Sequence, residues 1–159
     1  GYLDDMKSKY SHVPQIRFTG YVAEEDVPSL FGESAVTVFP YTSTTGSSGV
    51  LHQAGSYGNA VVLPDLGDLS ILVREEGYVG EFFDPTSTAS LADAIEKIIT
   101  QEDYRVQLGR TNYKAACSLP MSEITRMYVE YFAAIKKSKL ERFELELPKK
   151  MSELEEQQA

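Results

Sequence analysis

The chain has 159 residues, 42% of them hydrophobic, which is enough to form the core of one domain. Its formal net charge of −9 argues against a general nucleic-acid-binding or anionic-membrane-binding surface, because it would repel either partner. The single cysteine, Cys117, cannot form an internal disulfide, and His12 and His52 lie far from any second metal ligand, so no metal site is predicted. No stretch approaches the roughly 18 apolar residues of a membrane span, and we expect a cytoplasmic protein.

Strand-like and helix-like segments alternate from residue 15 to residue 118. Short β-branched or aromatic runs predict four strands, at residues 15–22, 35–41, 59–64 and 79–83. Between and after them, apolar spacing of three and four predicts helices at residues 24–34, 47–58, 68–77, 88–101 and 102–118. Nearly continuous apolar strands that alternate with helices are typical of a parallel sheet covered on both faces. The sequence therefore predicts an α/β, Rossmann-like fold.

The C-terminal part begins with a further predicted helix at residues 120–137. Its apolar stripe (Met127, Tyr128, Tyr131, Phe132) is expected to pack against the domain, and Cys117 is expected to be a small buried residue. From Lys136 onward the sequence is dense in charge of both signs, which indicates a solvated helix or a disordered tail. We therefore predict a domain at residues 1–137 and a tail at 138–159. Because Gly1 is not a natural start, we expect a fragment or one chain of a larger assembly.

A polar, glycine-containing stretch, "TSTTGSSG" at residues 42–49, follows the second predicted strand and leads into a helix. In open parallel sheets, ligands bind beyond the carboxyl ends of the strands, where such loops lie. Gly46 and Gly49 would let the backbone approach an anion, and the amides of Ser47, Ser48, Gly49 and Val50 would be the unpaired first donors of the helix. The alternative is that Ser47 or Ser48 caps the helix and the glycines form a turn. His52, next to Gln53 on this helix, is expected to be structural rather than an acid or base.

The combined pattern resembles the C-terminal, donor-binding domain of a GT-B-fold retaining glycosyltransferase, of the glycosyltransferase family 4 kind. The blocks that carry the resemblance are "IRFTGYVAEEDVPSLFGESAVTVFPY", "TGSSGVLHQAGSYGNAVVLPDLGDLSILV", "GYVGEFFDPTSTASLADAIEKII" and the helix pair that ends at Lys137. They cover roughly residues 10–137. The resemblance implies binding of a nucleotide-diphosphate sugar as substrate, with no cofactor, and transfer of its sugar to an acceptor hydroxyl.

The family motif carries two glutamates, and this chain has Thr45 and Gln53 at the matching positions. In the family, the first glutamate contacts the donor sugar and the second contacts the ribose hydroxyls. Gln53 could keep a ribose hydrogen bond through its amide, whereas Thr45 offers a shorter, uncharged contact. The base-binding segment of the family corresponds to "TGYV", in which Gly20, Tyr21 and Val22 would contact a nucleobase. A simple turn would account for Gly20 equally well.

The resemblance also implies parts that residues 1–159 do not supply. The family domain begins with two further strands, which bring an Arg and a Lys to the leaving diphosphate; Arg17 and Arg74 do not match those positions. An acceptor-binding N-terminal domain, or a partner chain, is implied as well, and peripheral membrane association through that part stays open. We expect no sugar transfer by this chain alone. The alternatives are a non-catalytic scaffold or partner subunit, and another doubly wound binding module.

Overall fold

The computed structural model describes residues 1–43, 48–118 and 120–156, with the side chains described up to residue 140. The described chain contains two compact units, Gly1–Ala116 and Cys117–Ala159. The helices are α1 (Tyr2–Lys9), α2 (Val27–Glu33, preceded by a 3-10 turn at Glu24–Asp26), α3 (Gly49–Ser56), α4 (Gly67–Glu75), α5 (Thr88–Thr100), α6 (Glu102–Ser118) and α7 (Met121–Glu156). The strands are β1 (Val36–Val38), β2 (Ala60–Pro64) and β3 (Glu81–Phe83).

The strands of the first unit form a parallel sheet in the order β1, β2, β3. Val36 is paired with Ala60 and Val62 is paired with Glu81, so β2 is the central strand. All five residues of β2 are buried, as expected for a strand that is covered on both faces. The α/β, Rossmann-like fold is therefore confirmed, together with the helices predicted between residues 24 and 118.

The predicted strand at residues 15–22 is wrong. The structure has no strand there, and most of the segment is exposed. A strand is stabilised by the backbone hydrogen bonds of a neighbouring strand, and neither edge strand of the sheet, β1 or β3, pairs with this segment. Local β-propensity alone does not hold the segment extended in a ladder.

Two hydrophobic clusters lie on opposite faces of the sheet. Alternate residues of β2 point to opposite sides: Val61 and Leu63 belong to one cluster, and Ala60 and Val62 to the other. The first cluster is completed by side chains of α3 and α4 (Leu51, Ala54, Leu69, Val73). The second is completed by side chains of α5 and α6 (Ala94, Ile98, Leu108). The sheet thus has helices on both faces, as the sequence predicts.

The amino ends of the strands are joined by one buried side chain. Asn112 of α6 is fully buried; its Oδ1 accepts a hydrogen bond from the Val79 amide (2.9 Å) and its Nδ2 donates to the Asn59 carbonyl (3.0 Å). Beside it, α6 lies so close to the chain before β2 that a Cβ on Gly109 would be 2.1 Å from the Gly58 carbonyl oxygen. These contacts fix the amino edge of the sheet and leave the carboxyl edge to loops.

The second unit consists mainly of α7. The apolar stripe that is expected to pack against the domain (Met127, Tyr128, Tyr131, Phe132) is more than half exposed. Within this unit, which is essentially one helix, no second described element covers these side chains, and their packing against the domain stays a prediction. Cys117 is exposed as well, contrary to expectation, because it lies roughly 140° around α6 from the buried Asn112. The division of the chain at residue 137 stays a prediction.

Candidate functional site

The candidate site lies at the carboxyl edge of the sheet, where chain segments pass from strands to helices. The segment after β1 leads into α3, the segment after β2 into α4, and the segment after β3 into α5. Ligands of open α/β sheets bind at this edge, so the helix N-termini here are candidate ligand-binding positions. Thr45, Gly46 and Ser47, three of the predicted donor-binding residues, lie outside the described residues.

The first turn of α3 presents backbone donors. Ser48 is the N-cap residue, with an extended backbone (φ −112°, ψ 116°), and its carbonyl accepts hydrogen bonds from the amides of Leu51 (3.0 Å) and His52 (3.4 Å). The Ser48 side chain makes no capping bond; its Oγ lies 3.3 Å from the hydroxyl of Tyr41. The Ser48 side chain therefore does not cap the helix, and Ser47, the other candidate cap, lies outside the described residues.

The amides of Gly49 and Val50 remain as donors without a partner among the described residues. These N–H groups point out of the positive end of the helix dipole, which favours a negatively charged ligand. Gly49 is exposed, and no described atom lies within 4 Å of the position its Cβ would occupy. The start of α3 is therefore accessible to an anion from outside.

Gln53 lies four residues after Gly49 on the same helix and is exposed. Residues four apart lie on one face of a helix, so the Gln53 amide and the start of α3 share a side. The structure therefore brings together four of the predicted residues: Ser48, Gly49, Val50 and Gln53.

His52 has a structural environment on α3, as predicted. Its Nδ1 lies 2.9 Å from the hydroxyl of Tyr78, and the two rings meet edge to face with their centroids 5.3 Å apart. Its Nε2 lies 3.7 Å from Oε2 of Glu76, which is within ion-pair range but too long for a hydrogen bond. The buried Tyr78 ring also comes so close to Gly55 that a Cβ there would lie 2.6 Å from it. Tyr78 thus holds α3 against the chain that enters β3.

Gly20, Tyr21 and Val22 lie in the segment before α2. Tyr21 and Val22 line a cavity of about 420 Å³, together with residues of the preceding segment and of the helical region that follows (Arg17, Thr19, Asp26, Ser29, Leu30, Glu33). Gly20 has a φ of 66°, a left-handed conformation that suits the turn alternative. Tyr21 is 91% exposed and so is available as a surface for a planar ligand.

Three other charged side chains near the sheet or the cavity differ in their contacts: Asp84 and Arg74 each have a partner, and Arg17 is a lining residue. At the carboxyl end of β3, Oδ1 of Asp84 accepts hydrogen bonds from the Thr86 amide (2.8 Å) and hydroxyl (2.7 Å), which lower the pKa of Asp84. The guanidinium of Arg74 lies 4.5 Å from the centre of the Phe82 ring, and Arg17 lines the cavity before α2. Among the described residues, no cluster of three or more His, Cys, Asp or Glu could hold a metal ion.

Comparison with known proteins identifies the family. The family description "Glycosyl transferases group 1" matches residues 2–101, well over half of the chain. The chain belongs to this family. A comparison with curated proteins gives no match. None of the helices in the described part of the chain is both long and apolar enough to cross a membrane.

Solved structures of glycosyltransferases share the fold. Sucrose-phosphate synthase from Thermosynechococcus elongatus superposes with a TM-score of 0.67 at 21% identity, over 83% of this chain and 34% of that one. Anabaena HepE, solved in complex with UDP and glucose, superposes with a TM-score of 0.71 at 19% identity, over 84% of this chain and 36% of that one. This chain thus spans about a third of the length of these GT-B glycosyltransferases.

Sequence reasoning missed three residues that hold α3 or the sheet in place. Tyr78, Glu76 and Asn112 carry no motif, and each acts through a contact to a distant part of the chain. The one available signal was a polar residue on the apolar face of a helix, since Asn112 lies four residues after Leu108 and four before Ala116 on α6.

Proposed function

We propose that this chain is the part of a retaining, family 4-type glycosyltransferase that binds the nucleotide-diphosphate sugar. The observation that carries the proposal is the start of α3, which follows β1 at the carboxyl edge of the sheet with the amides of Gly49 and Val50 unpaired among the described residues. Membership of the glycosyl transferases group 1 family and a structural neighbour solved with UDP and glucose support it. The proposal also includes that the protein is located in the cytoplasm.

The proposed role of α3 in sugar transfer follows from the place where negative charge develops during the reaction. In sugar transfer, the bond between the anomeric carbon and the diphosphate breaks, and the leaving diphosphate gains negative charge. Preorganised amides and a helix dipole stabilise such charge without reorganisation during the reaction. The Gly49 and Val50 amides would bind the diphosphate, the Gln53 amide would bind the ribose hydroxyls, and Tyr21 and Val22 would contact the base. An acceptor hydroxyl would attack on the same face and release its proton.

The acceptor side of the reaction would come from outside this chain. The chain spans about a third of its structural neighbours, so an acceptor domain on a longer chain or on a partner would complete the enzyme. Gln53, in place of the motif glutamate, favours the alternative of a non-catalytic, glycosyltransferase-like subunit that has kept the fold. The donor-binding proposal requires that the backbone at the start of α3 binds a nucleotide, whereas the non-catalytic alternative does not. Measuring nucleotide binding therefore separates the two.

The test removes one amide without disturbing the helix. Gly49 is the first residue of α3, a position that favours proline; the extended Ser48 before it is compatible with proline, and the space around Gly49 is open. Gly49→Pro deletes the N–H, and the matched control Gly49→Ala keeps it. We expect Gly49→Pro to weaken UDP binding, measured by calorimetry, by roughly 10- to 100-fold, the worth of one hydrogen bond to a charged group.

The control variant has its own expected result, and two results would contradict the proposal. Gly49→Ala should bind UDP about as tightly as the wild type, and both variants should keep the wild-type melting temperature. Equal UDP affinity of Gly49→Pro and Gly49→Ala would contradict the amide site. If the wild type binds none of UDP, GDP and ADP, the non-catalytic alternative replaces this proposal.

A further inference from the structure

A second cavity lies at the other end of α3, away from the candidate donor site. Its volume is about 450 Å³, and it is lined by the end of α3 and one face of α6 (Tyr57, Gly58, Val106, Gly109, Arg110, Tyr113, Lys114). We refer to it as the α3–α6 cleft. Gly58 lies just before β2, so the cleft is at the amino edge of the sheet. Donor ligands bind at the opposite edge, and the cleft is therefore a separate feature.

The apolar part of the cleft is rigid and exposed. The Tyr57 ring stacks on Phe31, with centroids 5.3 Å apart and planes within 2° of parallel, and is 40% exposed. Val106 and Tyr113 of α6 are 42% and 52% exposed. The floor is fixed by the close approach of Gly109 to the Gly58 carbonyl. The cleft thus offers the preformed ring of Tyr57 to a partner at little entropic cost, with the exposed part of the Tyr113 ring beside it.

The charged part of the cleft is basic, although the chain as a whole has a net charge of −9. Arg110 and Lys114 are four residues apart on α6 and both are exposed, so their side chains lie on one face. Neither forms an ion pair with another described residue, whereas Lys97, Arg105 and Arg126 each pair with a glutamate. Two free cations beside exposed aromatic rings are complementary to carboxylates that flank an apolar group.

We propose that the α3–α6 cleft docks a short acidic segment of a partner protein. An apolar side chain of the segment packs against Tyr57 and Tyr113, and neighbouring carboxylates pair with Arg110 and Lys114. Tyr and Arg are enriched among the residues that dominate protein interfaces. A long polyanion or an anionic membrane would meet the negative charge of the whole chain, whereas a short segment meets only the local cations, within a Debye length of about 8 Å.

The test uses a fluorescein-labelled peptide in which one phenylalanine is flanked on both sides by glutamates, and the full chain. The charge-reversal variant Arg110→Glu/Lys114→Glu should weaken binding, measured by fluorescence anisotropy, by about tenfold or more. The control Lys7→Glu/Lys9→Glu makes the same change in net charge on α1 and should change binding by less than about twofold. Tyr113→Ala should also weaken binding, and a peptide with glutamines in place of the glutamates should bind more weakly to the wild type.

Three results would overturn the proposal. The first is that the wild type does not bind the acidic peptide. The second is that both charge-reversal variants lose the peptide equally, which would make the attraction non-specific. The third is that phosphatidylserine vesicles or duplex DNA bind the wild type more tightly than the peptide and lose binding in Arg110→Glu/Lys114→Glu. Melting curves of all variants verify that each is folded.

Discussion

Asn112 provides a direct test of how the amino edge of the sheet is held together. The side chain is fully buried and joins two backbone groups, the Val79 amide at 2.9 Å and the Asn59 carbonyl at 3.0 Å. Asn112→Leu replaces it by an apolar side chain of similar shape, so it removes both hydrogen bonds without opening a large cavity. Each buried group left unpaired costs roughly 1–3 kcal/mol, and two groups lose their partner, so we expect the free energy of unfolding to fall by about 2–6 kcal/mol.

Urea unfolding followed by circular dichroism measures this loss. A decrease of that size is a large part of the roughly 5–15 kcal/mol that stabilises a typical domain, so the midpoint should shift clearly. The control Gln107→Leu lies on the same helix, is exposed, and should change stability by less than about 0.5 kcal/mol. If Asn112→Leu costs less than about 1 kcal/mol, the two hydrogen bonds do not join the strands as described.

Two further predictions concern Gln53 and Tyr104. Gln53→Ala should weaken UDP binding by one neutral hydrogen bond, roughly 0.5–1.5 kcal/mol by calorimetry, and Gln53→Glu should be tolerated; equal affinity of Gln53→Ala and the wild type would contradict the ribose contact. The Tyr104 hydroxyl donates to Glu81, which raises the pKa of Tyr104 to about 12. Because folding keeps this phenol protonated, its contribution is present below pH 10 and is lost as the pH rises from about 10 towards 12. Alkaline unfolding of Tyr104→Phe should lack this component, and an unchanged profile would contradict the assignment.

The elements that the sequence predicts correctly are those with local causes. The apolar spacing of α5 and its N-cap Ser87, whose hydroxyl accepts a hydrogen bond from the Ser90 amide at 3.2 Å, are both local in the sequence. The five apolar residues of β2 are likewise typical of a central strand. The place of α3 as the element that follows β1 is also predicted by the local pattern, and the binding role of its N-terminus stays a prediction.

The features that the sequence does not predict depend on distant contacts. Residues 15–22 have the composition of a strand, but a strand also needs a partner, and composition does not reveal whether one is there. Tyr78 contacts His52 across 26 positions, and Asn112 contacts Asn59 across 53. The apolar stripe of α7 is a similar case, since an apolar face does not specify what covers it.

α3 connects the two proposed binding sites, and its anchoring predicts that they act independently. The helix has eight residues and is about 12 Å long, with Gly49 at the candidate donor site and Tyr57 beyond its other end at the α3–α6 cleft. A ligand at one end can change affinity at the other only if it shifts an equilibrium between two states of what lies between. The His52 contact with Tyr78 and the lack of space at Gly55 oppose such a shift of α3.

We therefore expect UDP affinity with saturating acidic peptide to be within about twofold of its value without peptide. Tyr78→Phe removes the hydroxyl contact with His52, so in this variant we expect the acidic peptide to change UDP affinity. A strong effect of the peptide on UDP affinity in the wild type would refute a rigidly anchored α3.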